Sequence, residues 1–348
     1  MTGILTIVFI TIPLLYFLLV FKSETDQNGM AVFNLWGGLI ILFIFMLLFP
    51  YVESNDKPLY LESYLDAENY YEDYDRELLW GKIQIFLSKV LFKSELLYWY
   101  FYSVFYCFSY YAVAQKYFPY QYAGYFVLCA VACLGFVNYG SNTIRAGFGI
   151  ALLLLSFCSD KKYVKIGLAF AAVGCHLTML LPIVGYLTAG YIMKRERWCE
   201  LVWILFLIAS ILTSTLSDIM SLIGNIDNRA DAFENDDVYN TGFRIDFLLY
   251  SLVPALFARY NINKMSERDS IYTQVYRAYI LVNAVWVLLI RMPYTDRVAY
   301  LSWFMIPFLL LYPILNGLIN LRNPQSYLYR TIAVFMFVGI ILLLKSHG

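Results

Sequence analysis

Apolar stretches long enough to cross a bilayer recur from one end of the chain to the other, and they decide what it can fold into. The first, Gly3–Phe21, has no charged residue, and neither have residues 146–158. A bilayer core takes about 20 apolar residues as one helix, with every backbone amide paired inside the segment. With 61% hydrophobic and 14% charged residues and a mean hydropathy of +0.63, a chain of 348 residues is far more apolar than a soluble domain of that length. The two-residue alternation of a transmembrane barrel is missing. The expectation is an all-α polytopic integral membrane protein, a single transmembrane domain over 1–348 with about 12 spans and no fewer than about 10.

Helices are predicted near 3–21, 31–51, 94–114, 122–139, 144–159, 164–175, 177–193, 199–216, 245–260, 272–290, 298–321 and 331–344. The run before Lys22 lacks a basic leader and a small-residue cleavage site, so it reads as a retained helix. Residues 164–193 are short for two full spans and long for one, which predicts two half-length helices meeting near Cys175 and His176. Short loops rich in Lys and Arg stay inside. Placing Lys22, Lys116, Lys161, Lys194, Arg195, Arg259, Lys264 and Arg322 there leaves two acidic outer loops, 52–93 and 217–244. In the first, "LLWGKIQIFLSKVLF" spaces Leu79, Ile83, Phe86, Leu87, Val90 and Leu91 as one helical face, with Lys82, Gln84, Ser88 and Lys89 on others, which predicts an amphipathic helix at the outer interface. The six cysteines fall in or beside apolar runs without a C-x-x-C pair and read as buried thiols.

Balanced charges, 25 basic against 25 acidic, exclude a basic nucleic-acid binder. Nucleotide-binding, zinc-protease and serine-hydrolase motifs are missing. What remains is a set of arginines at outer helix mouths. Arg145 opens a helix after "GSNT", Arg244 precedes one, and Arg291 and Arg297 bracket "RMPYTDR"; from residue 94 onward no outer loop or mouth holds a lysine. Arginine grips phosphate through a rigid fork, and helix N-termini point amides at the same surface. That combination suits a diphosphate. Pairing with Asp246 and Asp296, or reaching to lipid headgroups, is the structural alternative. His176, at the predicted break, is a candidate general base. A single histidine makes no metal site, and no cofactor is expected. The segment "YLESYLDAENYYEDYDRE" suits a glycan groove, with Tyr70, Tyr71 and Tyr74 for stacking and Asp73 and Asp75 as candidate catalytic carboxylates. In the second outer loop Tyr239 has the same character.

The stretches "SNTIRAGFGIALLLLSF", "DKKYVK", "AFAAVGCHLTMLLPI" and "RMPYTDRVAYLSWFMIP" resemble the EpsG-type and Wzy-type polysaccharide polymerases of bacterial O-antigen, capsule and exopolysaccharide assembly. Cys175 stands where the family pattern has Phe before His176. The resemblance implies a multi-pass protein of the bacterial inner membrane with its active site facing outward. It implies glycosyl transfer between undecaprenyl-diphosphate-linked repeat units, releasing the lipid diphosphate, with a chain-length regulator and a flippase as possible partners. An O-antigen ligase and a lipid-linked oligosaccharide flippase are the rival readings. The ligase would place its histidine in the late outer loop, and 217–244 has none.

Overall fold

The computed structural model describes residues 3–21, 29–69, 77–212, 242–291 and 295–347. The described segments are helical: α1 Gly3–Phe21, α2 Leu35–Leu48, α3 Lys57–Leu65, α4 Leu78–Val90, α5 Glu95–Tyr117, α6 Ala123–Val131, α7 Leu134–Ser141, α8 Ile144–Cys158, α9 Lys162–Cys175 and α10 Leu180–Leu187. They continue with α11 Glu196–Leu212, α12 Ile245–Lys264, α13 Ser270–Leu288, α14 Thr295–Trp303, α15 Ile306–Leu315 and α16 Pro324–His347. Caps match the sequence at several starts. Asn34 accepts the amide of Gly37 at 3.1 Å and Asp269 that of Tyr272 at 2.7 Å, each satisfying an N–H that the helix cannot.

The apolar, all-helical character is as expected, but span length is not. Among the described residues, Thr295–Leu315 and Pro324–Leu342 are long and apolar enough to cross a membrane, and α6 with α7 would make a third if counted together. Leu35–Tyr51, Ile144–Cys158 and Leu177–Ile192 are apolar helices of 10–17 residues. The expected helix over 122–139 is broken, α6 and α7 meeting at a bend of 74°. Each half is held by different neighbours. At the head of α6, Gly124 donates to Phe33 O at 2.9 Å and Tyr125 Oη to Ala31 O at 3.0 Å, whereas Phe136 of α7 packs against Phe45, Phe49, Tyr106 and Tyr110.

The chain forms two compact units, Met1–Ile183 with Ile306–Gly348, and Val184–Met305. In the first, α2 lies on α5 and α6, and α8 packs between α5 and α9. Phe148 of α8 meets Phe105 at 4.6 Å and Tyr102 at 5.3 Å, both on α5. The far end of the α8–α9 hairpin is closed by Ser156 Oγ donating to Lys165 O at 2.8 Å. In the second unit, Trp203 Nε1 on α11 donates to Asn283 Oδ1 at 2.9 Å, and Trp303 Nε1 on α14 to Ser251 Oγ on α12 at 2.7 Å. Its strongest polar feature is the buried Glu196, which meets Arg268 at 3.0 Å, Arg277 at 3.3 Å and Arg259 at 3.9 Å.

Helix α4 corrects one expectation. Its buried face carries Trp80, Gly81, Gln84, Leu87 and Ser88, while Phe86 and Val90 are exposed. Gln84 turns inward toward a polar partner on α5, its Nε2 donating to Tyr102 Oη at 3.3 Å, and Ser88 tolerates burial because its Oγ is satisfied within the helix, donating to Ile85 O at 2.9 Å. Segment 52–93 also holds a helix the hydropathy did not predict, α3, tied down by Lys57, whose ammonium donates to Phe49 O and Pro50 O at 2.9 Å each.

Candidate functional site

The site begins with a tight turn. After α7, the amides of Asn142 and Thr143 both donate to Asn138 O, at 2.8 and 3.0 Å, and Thr143 Oγ1 donates to Asn138 Oδ1 at 3.1 Å. This turns the chain sharply into α8, whose second residue is Arg145. Gly147 makes the crossing possible, since a Cβ there would run into Tyr139 O of α7. On the neighbouring arm of the hairpin, α9 stops at Cys175. His176 takes extended angles of φ −154° and ψ 115°, and a 3₁₀ turn over Leu177–Met179 leads into α10. The predicted break at Cys175 and His176 is thus where the helix ends.

Arg145 and His176, far apart in sequence, meet at one carboxylate. Glu77, immediately before α4, is buried, with 7% of its side chain exposed. Its Oε2 lies 2.7 Å from Arg145 Nη1, and its Oε1 accepts from His176 Nδ1 at 3.0 Å and from the amide of Leu177 at 3.1 Å. Burial alone would raise the Glu77 carboxyl. The His176 hydrogen bond, the Arg145 charge and the Leu177 amide outweigh it and hold the acid below its ordinary range. Around this centre Arg145 Nε, Asn142 Oδ1, Trp80 Nε1 and Gln84 Oε1 are buried without hydrogen-bond partners. A guanidinium with unused N–H capacity beside an oriented imidazole is equipped to bind an anion and to take up a proton.

The other predicted site residues divide. Arg244 engages Asp246 through both arms, Nε to Oδ1 at 3.0 Å and Nη2 to Oδ2 at 3.1 Å, and its guanidinium lies 3.6 Å from the Phe247 ring centroid. Arg291 Nε donates to Ser210 O at 3.2 Å, with its guanidinium 5.5 Å from the ring of Phe243. Arg297 is exposed on α14. These three belong to the second unit and Arg145 to the first. Asp73, Asp75, Tyr70, Tyr71, Tyr74 and Tyr239, with most of the loop 217–244, lie outside the described residues.

The family model of the EpsG family matches residues 33–348, which takes in Glu77, Arg145 and His176. The chain belongs to the EpsG family. EpsG proteins are Wzy-type polysaccharide polymerases, and the apolar helices agree with membership of a membrane-protein family. No curated protein and no solved structure matches the chain.

Sequence reasoning about this EpsG member missed Glu77. It is the last of seven carboxylates between residues 60 and 77, and its neighbours in sequence look like a solvated acidic loop. The available signal was its position directly before Leu78, Leu79 and Trp80, where a carboxylate enters an apolar helix.

Proposed function

We propose that this EpsG protein extends a polysaccharide at the outer face of the bacterial inner membrane by glycosyl transfer between undecaprenyl-diphosphate-linked repeat units, for O-antigen, capsule or exopolysaccharide. The observation that carries this reading is the meeting of Arg145 and His176 at the buried Glu77. In the reaction, a hydroxyl oxygen of the incoming unit bonds to the anomeric carbon of the growing glycan as the bond from that carbon to the diphosphate oxygen breaks. The diphosphate leaves with the electron pair, and the hydroxyl gives up its proton. Arg145 stabilises the charge that develops on the leaving diphosphate, where a preorganised cation acts most strongly. His176 takes the hydroxyl proton, with Asp73 and Asp75 as the alternative bases. Tyr70, Tyr71, Tyr74 and Tyr239 are assigned to stacking on sugar faces, and Arg244, Arg291 and Arg297 to diphosphate binding. A chain-length regulator and a flippase are the proposed partners.

The test is complementation of a strain lacking the gene, with surface glycan resolved by gel and membrane insertion followed by immunoblot. Arg145→Ala abolishes the long-chain ladder while the protein still inserts, and Arg145→Lys does so less completely, because a point charge replaces the fork. One repeat unit remains on the lipid anchor. A normal ladder from Arg145→Ala overturns the assignment.

A further inference from the structure

One edge of the His176 ring faces a carboxylate that has little freedom to move. Glu77 Oε1 lies 3.0 Å from Nδ1 and also holds the amide of Leu177, the next residue in the chain, at 3.1 Å. Its second oxygen is fixed 2.7 Å from Arg145 Nη1. An ionised carboxylate only accepts hydrogen bonds, so the proton between Glu77 and the ring belongs to Nδ1. A neutral imidazole has a single N–H, and placing it on Nδ1 puts the lone pair on Nε2. Free imidazole side chains in water favour the opposite tautomer, so the choice here is imposed by the protein. Among the described residues, the other charged or titratable groups set against this carboxylate are Arg145 on α8 and Cys175 on α9, with Tyr102 on α5 beyond Cys175. None of these supplies an acceptor as strong as a carboxylate. Lys82 on α4 is exposed, and Lys162 and Lys165 stand at the opposite end of α9.

The geometry points to Glu77 as the positioning residue of the centre: it fixes His176 as the Nδ1–H tautomer, with Nε2 as the basic atom, and clamps Arg145 beside it. One carboxylate thereby sets both the base and the anion-binding group. The catalytic meaning of this arrangement rests on the function proposed above, but the tautomer does not, and it can be measured separately.

The chain has only two histidines, His176 and His347, so ¹⁵N-histidine labelling of the full-length protein in lipid nanodiscs gives two ring systems, with His347→Gln assigning them. At a pH where both rings are neutral, His176 is expected to show a protonated Nδ1 and an unprotonated Nε2. Glu77→Ala is expected to move it to a mainly Nε2–H ring, whereas Glu77→Gln, which keeps an acceptor oxygen, retains the Nδ1–H form. A merely structural role for Glu77 would leave the tautomer unmoved. An Nε2–H ring in the wild type overturns the inference without any variant, and an Nδ1–H ring persisting in Glu77→Ala overturns it as well. If the tautomer moves as expected while Arg145→Ala still makes polymer, the role of Glu77 stands and the catalytic reading falls. If Arg145→Ala loses polymer while the wild-type ring is Nε2–H, the reverse holds.

Discussion

Glu77 accepts hydrogen bonds from His176 and the Leu177 amide and forms an ion pair with Arg145 in a buried setting, so its charge contributes to stability as well as orientation. Its partners hold the native carboxyl below the ordinary glutamate value of about 4.3. A depressed acid contributes its stabilisation in full above the unfolded-state value and loses it as pH falls through the native one. Thermal unfolding of the purified protein and of Glu77→Gln is therefore expected to differ by its full plateau amount at neutral pH, where the carboxylate is ionised, and the difference is expected to shrink as pH falls below about 4. The plateau difference is on the order of 3 kcal/mol, the cost of leaving a buried cation without its partner. A difference that stays flat below pH 4 would show that the charge of Glu77 is not what stabilises the site. Arg145 and His176 were legible in the sequence because such residues are rare against an apolar background. Glu77 was not, since nothing local distinguishes it from the six carboxylates before it, and only the folding of α4 against α9 brings it inward.

At the scale of elements, the register of α8 against α7 places the guanidinium. Gly147→Ala would press a methyl group into Tyr139 O, and the expected result is about 1–3 kcal/mol of destabilisation with loss of long-chain polymer, as the first turn of α8 shifts. Gly167→Ala on α9 is the control. Nothing lies within 4 Å of the Cβ it would add, so it is expected to be neutral or stabilising by up to about 1 kcal/mol, with the ladder unchanged. Thermal melts of both variants together with glycan gels separate these outcomes. Helix ends at 144 and 175 were readable from composition, because small and polar residues interrupt apolar runs there. The bend between α6 and α7 was not, as Ala132 and Cys133 continue the apolar run and the break comes from separate anchoring of the two halves. Nor was the inward face of α4, where Gln84 follows a hydrogen-bond partner on α5 and Ser88 is satisfied by its own helix.

At the scale of the molecule, two enclosed charge clusters stand out among the described residues, one at Glu77 and one at Glu196. In the second unit the buried Glu196 serves three arginines, and Glu196→Ala would leave Arg277, with 11% of its side chain exposed, short of its counter-ion. The expected cost is about 3–5 kcal/mol, read as a lower melting temperature and reduced membrane-inserted protein. Orientation is open to an equally direct check. With the acidic segment 52–93 outside and the 159–161 turn inside, an impermeant maleimide applied to intact cells is expected to label Glu53→Cys and not Lys161→Cys, both exposed positions. Labelling at Lys161→Cys alone would invert the proposed orientation. Cys107, Cys129, Cys133, Cys175 and Cys199 are buried, Cys158 is partly covered, and none of the six is in a disulfide. Packed away in this manner, the native sulfhydryls offer a quiet background, so reporter groups can be attached one position at a time to the unaltered sequence and the whole polypeptide surveyed without first stripping it of sulfur.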